Sequence, residues 1–438
     1  MLSAINGTRT QTRREILRAA KEQNVRYVRL AFVDVLGIEK NVTIPASELD
    51  RALDGAVTFD GGSIDGFVRG EEVDMMLRPD PATFAVLPWT TGGAIEARMM
   101  CDIAIADGTP FEGCPRTTLR RVLEDANDVL KGVTTSLEVE FYLFDRTPDG
   151  RPTTNTVDSG SYFDFSANDR GDDARTAMVS ALEAMAIPVS SAHHEHGAGQ
   201  HEIDLSARSV LATADELTTL RGVAKQIANR HGAHATFMPK PLEAQAGSGL
   251  HIYIQLDTDD DDVRLHAIAG LLEHAPGFTA ICNPTVNSYK RLVAAWDAPI
   301  YTVWSHRSAN ALIRVPPVAA GAKPTIELRS PDASCNPYLA LAAVMESMAD
   351  GIRNRRLPGD PFTGSSYDLT ERFRLDHGIK TLPTALSGAL EELSRDQIVK
   401  GAIGDHIYHA FHDAKTAEYE RYRRAVHPWE HDAYLRTF

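Results

Sequence analysis

The stretch SLEVEFYLF, residues 136–144, decides how the rest of the chain is read. Leu137, Val139, Phe141 and Leu143 alternate with Glu138, Glu140, Tyr142 and Phe144, the two-residue period of a strand. Two residues along a strand span roughly 6.6 Å, so Glu138 and Glu140 project side by side from the face opposite the aliphatics. Carboxylates so placed can each serve a different cation of a metal pair. Three further segments have the same habit. In QHEIDL (200–205) Glu202 alternates with Ile203. In GLHIYIQL (249–256) Leu250, Ile252 and Ile254 oppose His251 and Tyr253, and in TIELR (325–329) Ile326 and Leu328 oppose Glu327 and Arg329. The cluster HHEHGAGQHE (193–202) supplies Glu195 within reach of Glu202. One such strand is best explained as a solvated face. Four of them gather carboxylates inside a sheet, where repulsion and lost hydration call for cations. Carboxylates with an isolated imidazole suit Mg²⁺ or Mn²⁺ better than a thiolate-loving metal.

Outward from this core the chain is ordinary in bulk. Its 438 residues are 43% hydrophobic and 24% charged, which excludes disordered and membrane-type compositions and leaves room for two to three domains. The formal charge of −15 comes without an extended basic stripe, so a nucleic-acid partner is not expected. Cys101, Cys114, Cys282 and Cys335 form no CxxC pair, which argues against a disulfide framework or zinc ribbon. No apolar leader-like run opens the sequence and no transmembrane-length run follows, so a cytoplasmic protein with no membrane partner is expected.

Residues 12–24 read as a short amphipathic helix, followed by a strand with Val28, Leu30 and Phe32 on one face. Segments near 56–59, 83–88 and 97–105 are β-like and separated by turn-rich text. At Cys114-Pro115 the spacing becomes helical, so a boundary is placed at 112, giving domains 1–112 and 113–438. Strands and helices then intermix to about 330, and helices are expected near 336–355, 383–397 and 397–424. The acidic run Asp257–Asp262 reads as a solvated hairpin tip, since it lacks the glycine and terminal glutamate of an EF-hand loop. No HExxH, GxxxxGK[ST] or strand-borne GxGxxG occurs, which removes the zinc-peptidase, P-loop and Rossmann readings.

Long stretches of the chain resemble type I glutamine synthetase. They are FDGGSIDGF (59–67), CDIAIADGTPFEG (101–113), EVEFYLF (138–144), HHEHGAGQHEIDL (193–205), HATFMPKPL (234–242), GSGLH (247–251), NPTVNSYKRL (283–292) and RSPDASCNPYLALA (329–342). The resemblance implies an α+β fold, with a small N-terminal β-grasp domain and a larger catalytic domain built on a curved antiparallel sheet with helices. It implies a homo-oligomer, a dodecamer of two hexameric rings, with active sites between subunits. The implied reaction joins L-glutamate to ammonia or a small amine using ATP and two or more Mg²⁺ or Mn²⁺ ions, by way of γ-glutamyl phosphate.

Carried over by motif, Glu140, Glu195 and Glu202 would hold one metal, and Glu138, His251 and Glu327 the second. Gly247, Arg291 and Arg329 would bind glutamate, the arginines by pairing with carboxylate. Asp60 and Ser63 would be offered by the neighbouring subunit, the aspartate acting on ammonium. Arg314 would contact phosphate, with Tyr253 and Gln255 as further nucleotide contacts. Arg69 matches a feedback-linked position, and Tyr367 a tyrosine that some relatives have adenylylated, read here as a surface-loop residue. His193, His194 and His196 are expected to support the ligands or lie at the surface.

The departures from the pattern gather in one place. The family's flap glutamate is Asp297 here, in Trp296-Asp297-Ala298-Pro299, one methylene shorter. Ala246 stands where an asparagine precedes GSG, Ala309 stands where an arginine serves the transferring phosphoryl, and Arg307 lies two residues before it. Pro324, Ser190 and Gln255 also depart. A shorter flap carboxylate enlarges the acceptor pocket, which points to an amine bulkier than ammonia. Ordinary glutamine synthesis is the alternative, and a weakly active regulatory or co-assembling paralogue a third.

Overall fold

The structure is a computed structural model, and it describes residues 12–64, 66, 74–90, 93–165, 168–317 and 323–438. Arg69 lies outside the described residues.

The first helix, Arg13–Glu22, starts where Thr12 and Glu15 form a reciprocal cap. The N-terminal sheet contains β1 (Val25–Val33), β2 (Glu39–Pro45), β3 (Val57–Asp60), β4 (Asp74–Pro79), β5 (Ala85–Val86) and β6 (Ile95–Ile105). Its order is β2-β1-β6-β4-β3, with β5 also on β6 and the β1–β6 pair parallel. Val28, Leu30 and Phe32 are buried as expected and pack with Ile16, Met75, Leu77 and Met99 into a core of their own.

The second sheet carries the four strands read first. It comprises β7 (Thr134–Arg146), β8 (Pro152–Thr156), β9 (Val189–His194), β10 (Gln200–Ser209), β11 (Ala233–Thr236), β12 (Leu250–Gln255), β13 (Trp304–Ser305), β14 (Ile313–Arg314) and β15 (Ile326–Leu328). The order is β13-β14-β15-β12-β7-β10-β9, with β8 and β11 also on β7. All pairs are antiparallel except β13–β14. Leu137, Val139, Ile203, Ile252 and Leu328 are buried on the aliphatic face, in the larger core shared with helices Val210–Arg230, Asp261–Cys282 and Pro337–Arg353. The last two helices approach so closely that a Cβ on Gly270 would stand 2.1 Å from the Ser347 carbonyl oxygen. Glycine there lets the backbones meet.

Polar links join the two parts of the chain. Buried Arg116 is bidentate to Asp215 and also reaches Asp102 and Asp80. Asn336 donates to the carbonyls of Asp34 and Val35.

Two sequence expectations are corrected. The Asp257–Asp262 run is no hairpin tip; it leads from β12 into a helix, and the Asp260 side chain caps that helix by accepting from the Asp262 N–H (2.9 Å). Acidic residues at a helix N-terminus face the positive end of its dipole, which a search for loops overlooks. The helix expected over 397–424 is two, Gln397–Ile403 and Asp405–Arg424, because Gly404 adopts φ +80° between them. Among the described residues no helix is long and apolar enough to cross a membrane, and all four cysteines are buried free thiols.

Candidate functional site

Sheet register brings the chemistry together in rows. One row runs His193, Glu202, Glu140 across β9, β10 and β7. The next runs Ser191, Asp204, Glu138, His251 across β9, β10, β7 and β12. A third sets Tyr253 of β12 beside Glu327 of β15, and Glu327 beside Arg314 of β14. Glu195 follows β9 in the turn to β10. The first two rows, with Glu195 and Arg314, floor a cavity of about 540 Å³ whose walls include Gly247, Arg291, Arg329, Trp296, Asp297 and Ala309; Glu327 lies buried beneath it.

His251 Nδ1 lies 2.9 Å from Glu138 Oε2, and the Tyr253 hydroxyl donates to Glu138 Oε1 (2.6 Å). Burial alone would raise the Glu138 carboxyl, but these bonds, with attraction from His251 and Arg329, bring it down to about 2. Glu195 and Glu202 go the other way. Burial, followed by repulsion from Glu140 and neighbouring carboxylates, pushes them up to about 8 and about 11 in the metal-free chain. Carboxyls that hold protons for want of a positive neighbour are the signature of a cation site.

Two sets of ligating atoms each lie within 4.8 Å of one another: Glu138, His251 and Glu327, and His193, Glu195 and Glu202. The first is the set carried over by motif. The second differs from expectation: His193 joins Glu195 and Glu202, its Nε2 3.2 Å from Glu202 Oε1. Glu140 stands apart, with Oε2 accepting from the Gly249 N–H (2.8 Å) and Gln200 Nε2 (3.1 Å). A third set joins Glu138, Glu202 and Asp204. Oxygen-rich groups with an imidazole fit hard divalent cations, Mg²⁺ or Mn²⁺.

The arginines are arranged around this floor. Glu327 is fully buried and takes both Arg314 Nε and Arg329 Nη1. Arg329 lines the cavity, and its buried Nε–H finds no partner among the described residues. Arg291 gives three of its five N–H donors to the carbonyls of Arg329, Ser330 and Pro331 (2.7–3.0 Å), which fixes its charge against the cavity. Gly247 is required beside it, since a Cβ there would meet Arg291 Cγ at 2.8 Å and the Pro239 carbonyl oxygen at 2.7 Å.

Other expected residues lie outside this cavity. Gln255 donates to the Lys323 carbonyl (3.4 Å) and Tyr253 is spent on Glu138, so neither lines the wall. Asp60 and Ser63 are exposed at the end of β3, where Asp60 caps the Gly62 N–H (2.8 Å), and do not reach the cavity of their own chain. Arg307 is exposed and does not replace the arginine missing at Ala309, which does line the wall.

The flap opposite the carboxylates is a short turn. Trp296 and Asp297 both adopt positive φ, 54° and 57°. Tyr367 is no free surface residue: it is half-buried, and its hydroxyl is shared between the carbonyls of Ala295 (3.3 Å) and Ala298 (2.8 Å), on either side of that pair. Lys240, given no role by sequence, lies over the Trp296 ring at 5.7 Å. Tyr162 and Phe163 also line the cavity beside the Glu195 turn, Tyr162 stacked on His196 and Phe163 against His193, each with centroids 4.4 Å apart. These contacts join residues from 162 to 367, and sequence spacing gave no signal for them.

Comparison with known proteins agrees with this architecture. Residues 24–105 match the family model for the glutamine synthetase β-grasp domain, and residues 112–434 the model for its catalytic domain. Glutamine synthetase of Thermus thermophilus is 45% identical over 98% of this chain and 99% of its own length. That of Halobacterium salinarum is 44% identical over 98% of both. A solved GmaS/ADP complex superposes with TM-score 0.85 at 27% identity, over 96% of this chain and 99% of its own. Plasmodium falciparum glutamine synthetase shares the fold, with TM-score 0.86 at 23% identity over 97% of this chain and 98% of its own.

Proposed function

The chain belongs to the glutamine synthetase family, and from that premise we propose that it ligates an amine larger than ammonia to the γ-carboxyl of L-glutamate. It is an ATP- and divalent-metal-dependent carbon–nitrogen ligase. The observation that carries the larger-amine reading is the flap wall. Asp297, a methylene shorter than the family's glutamate, and Ala309, in place of an arginine, line one cavity with the aromatic rings of Tyr162, Phe163 and Trp296. An organic ammonium is stabilised on aromatic faces beside a carboxylate, and its alkyl part fills the space left by the shorter side chains.

In this reading Arg291 and the unpartnered Nε–H of Arg329 pair with glutamate carboxylate above Gly247. Glu138, His251 and Glu327 would hold one cation, and Glu195, Glu202 and Glu140 or His193 a second, and these would offset the charge of nucleotide and acyl phosphate. The γ-carboxylate takes the terminal phosphoryl group of ATP and ADP departs, with Arg314 placed at the phosphates. Asp297 holds the incoming ammonium and helps remove its proton. The freed nitrogen then attacks the γ-carbonyl carbon, phosphate leaves, and an amide remains. Asp60 and Ser63 complete the site from a neighbouring subunit of a homo-oligomer, a dodecamer in its full form. Residues 1–112 and 113–438 form the two domains, and the free thiols suit a cytoplasmic setting.

The test is phosphate release from ATP with ammonia, methylamine, ethanolamine and polyamines in turn. Release that requires glutamate, divalent metal and amine, with an organic amine giving the highest kcat/KM, supports the reading. Highest kcat/KM with ammonia establishes ordinary glutamine synthesis instead, a reading favoured by the names of the full-length relatives. Failure of every acceptor overturns both.

A further inference from the structure

Behind the carboxylate face lies a second polar cluster that the reaction leaves without a task. Asp158, Asp169, Arg175, His194 and His201 are all buried there. His194 and His201 are register partners on β9 and β10, turned away from the face that carries His193 and Glu202. The ligating atoms of the two aspartates and two histidines lie within 4.8 Å of one another, and glycine backbones close directly over the imidazoles. A Cβ on Gly160 would stand 2.6 Å from His194 Nε2, and one on Gly171 only 2.3 Å from His201 Nε2.

Its hydrogen bonds converge on one carboxylate. Asp158, with no exposed side-chain surface, accepts from the backbone N–H groups of Gly199 (2.8 Å), Gly160 (3.2 Å) and Gly171 (3.3 Å). His194 Nε2 lies 3.0 Å from the same carboxylate, and His194 Nδ1 lies 2.7 Å from the Glu195 carbonyl oxygen. The His194 carbonyl in turn accepts from the Phe163 N–H (3.1 Å). On the far side Arg175 donates to His201 Nδ1 (2.7 Å) and Asp169 (2.8 Å).

One node therefore holds two structures that pack against each other at the cavity. One is the turn that carries Glu195 and leads into Glu202. The other is the loop that carries Tyr162 and Phe163. A buried ionic cluster gives little net stability over an apolar one of equal volume, but it fixes geometry. We propose that Asp158, acting through His194, is a positioning residue that keeps the cation-side turn and the aromatic acceptor-side loop in one fixed relation.

The proposal rests on the reading of Glu195 and Glu202 as cation ligands, so Mn²⁺ titration of the metal-free wild-type protein comes first. Asp158→Asn then keeps the side chain's size and removes its charge. The expected result is a Mn²⁺ Kd raised about 10-fold or more. The KM for the acceptor rises with it, while the KM for glutamate changes less than about twofold. A lowered melting temperature with unchanged Mn²⁺ Kd and acceptor KM overturns the proposal and leaves a structural cluster. If Asp158→Asn does not fold, His194→Gln is read by the same split, and failure of both to fold also overturns it. Wild-type protein that binds no Mn²⁺ overturns the ligand reading and the node together, whereas normal wild-type binding with unchanged variants overturns the node alone.

Discussion

The carboxylate floor and the flap face one another across the same cavity and are built by opposite means. Every floor residue from Glu138 to Glu327 sits on a strand or strand turn, and its position follows from register with one or two neighbours. A shift of one residue would send the whole row to the other face. The flap is a turn with two consecutive non-glycine residues at positive φ, a conformation that costs on the order of 1–3 kcal/mol each. It is held by the Tyr367 hydroxyl and by the contact of Lys240 with Trp296. All six residues proposed as ligands belong to the floor, while the departures at Asp297 and Ala309 fall on the flap and the wall. In the proposed reading, chemistry set by charge is locked into the sheet, while acceptor choice is left to a loop that can change one side chain at a time.

The contrast breaks most visibly at Glu327. Glu327→Gln keeps the shape but removes the charge shared by Arg314 and Arg329. Turnover should fall on the order of 10³-fold with the chain still folded by circular dichroism. Near-normal turnover would place Glu327 outside the chemistry.

The floor should also show itself through pH. Glu195 and Glu202 sit at about 8 and about 11 in the metal-free folded chain, against an ordinary value of 4.5. Above pH 4.5 the unfolded chain loses protons that the folded chain retains, so metal-free stability falls as pH rises through the window up to 8 and beyond. Bound cation displaces those protons. The melting-temperature gain from Mn²⁺ should therefore grow from about pH 6 to about pH 8, with proton release on binding. A gain independent of pH would mean that these carboxyls are not the ligands.

The flap predictions are smaller. Asp297→Glu restores the missing methylene and should shift the ammonia-to-amine ratio of kcat/KM about 10-fold towards ammonia. An unchanged ratio would put selection elsewhere in the wall. Tyr367→Phe removes one hydroxyl donor from the flap and should raise the acceptor KM a few-fold, in keeping with a single hydrogen bond of about 1 kcal/mol. Glutamate KM should hold steady, and equal changes in both would mean that the hydroxyl does not act through the flap alone.

Sequence made the floor legible because strand alternation is a local, two-residue signal. Glu138, Glu140, Glu202, His251 and Glu327 could each be assigned a face before any contact was known. What escaped depends on pairing between distant strands. His193 and Asp204 matter because they sit opposite Glu202 and Glu138, and the cover of Arg314 and Arg329 over Glu327 follows from the β14–β15 register. The Asp158 node escaped for the same reason, since its partners come from residues 158 to 201 and an isolated Asp or His in that text reads as surface or turn. Gly404 was visible as a residue, but its helix-breaking role depended on its backbone conformation.

The central claim, a floor that cages paired cations, is tested most directly by counting them. Equilibrium dialysis of metal-free protein against Mn²⁺ should give two tightly held ions per chain, and Glu327→Gln should leave one. No retained manganese, or two ions undiminished in the variant, would contradict the account.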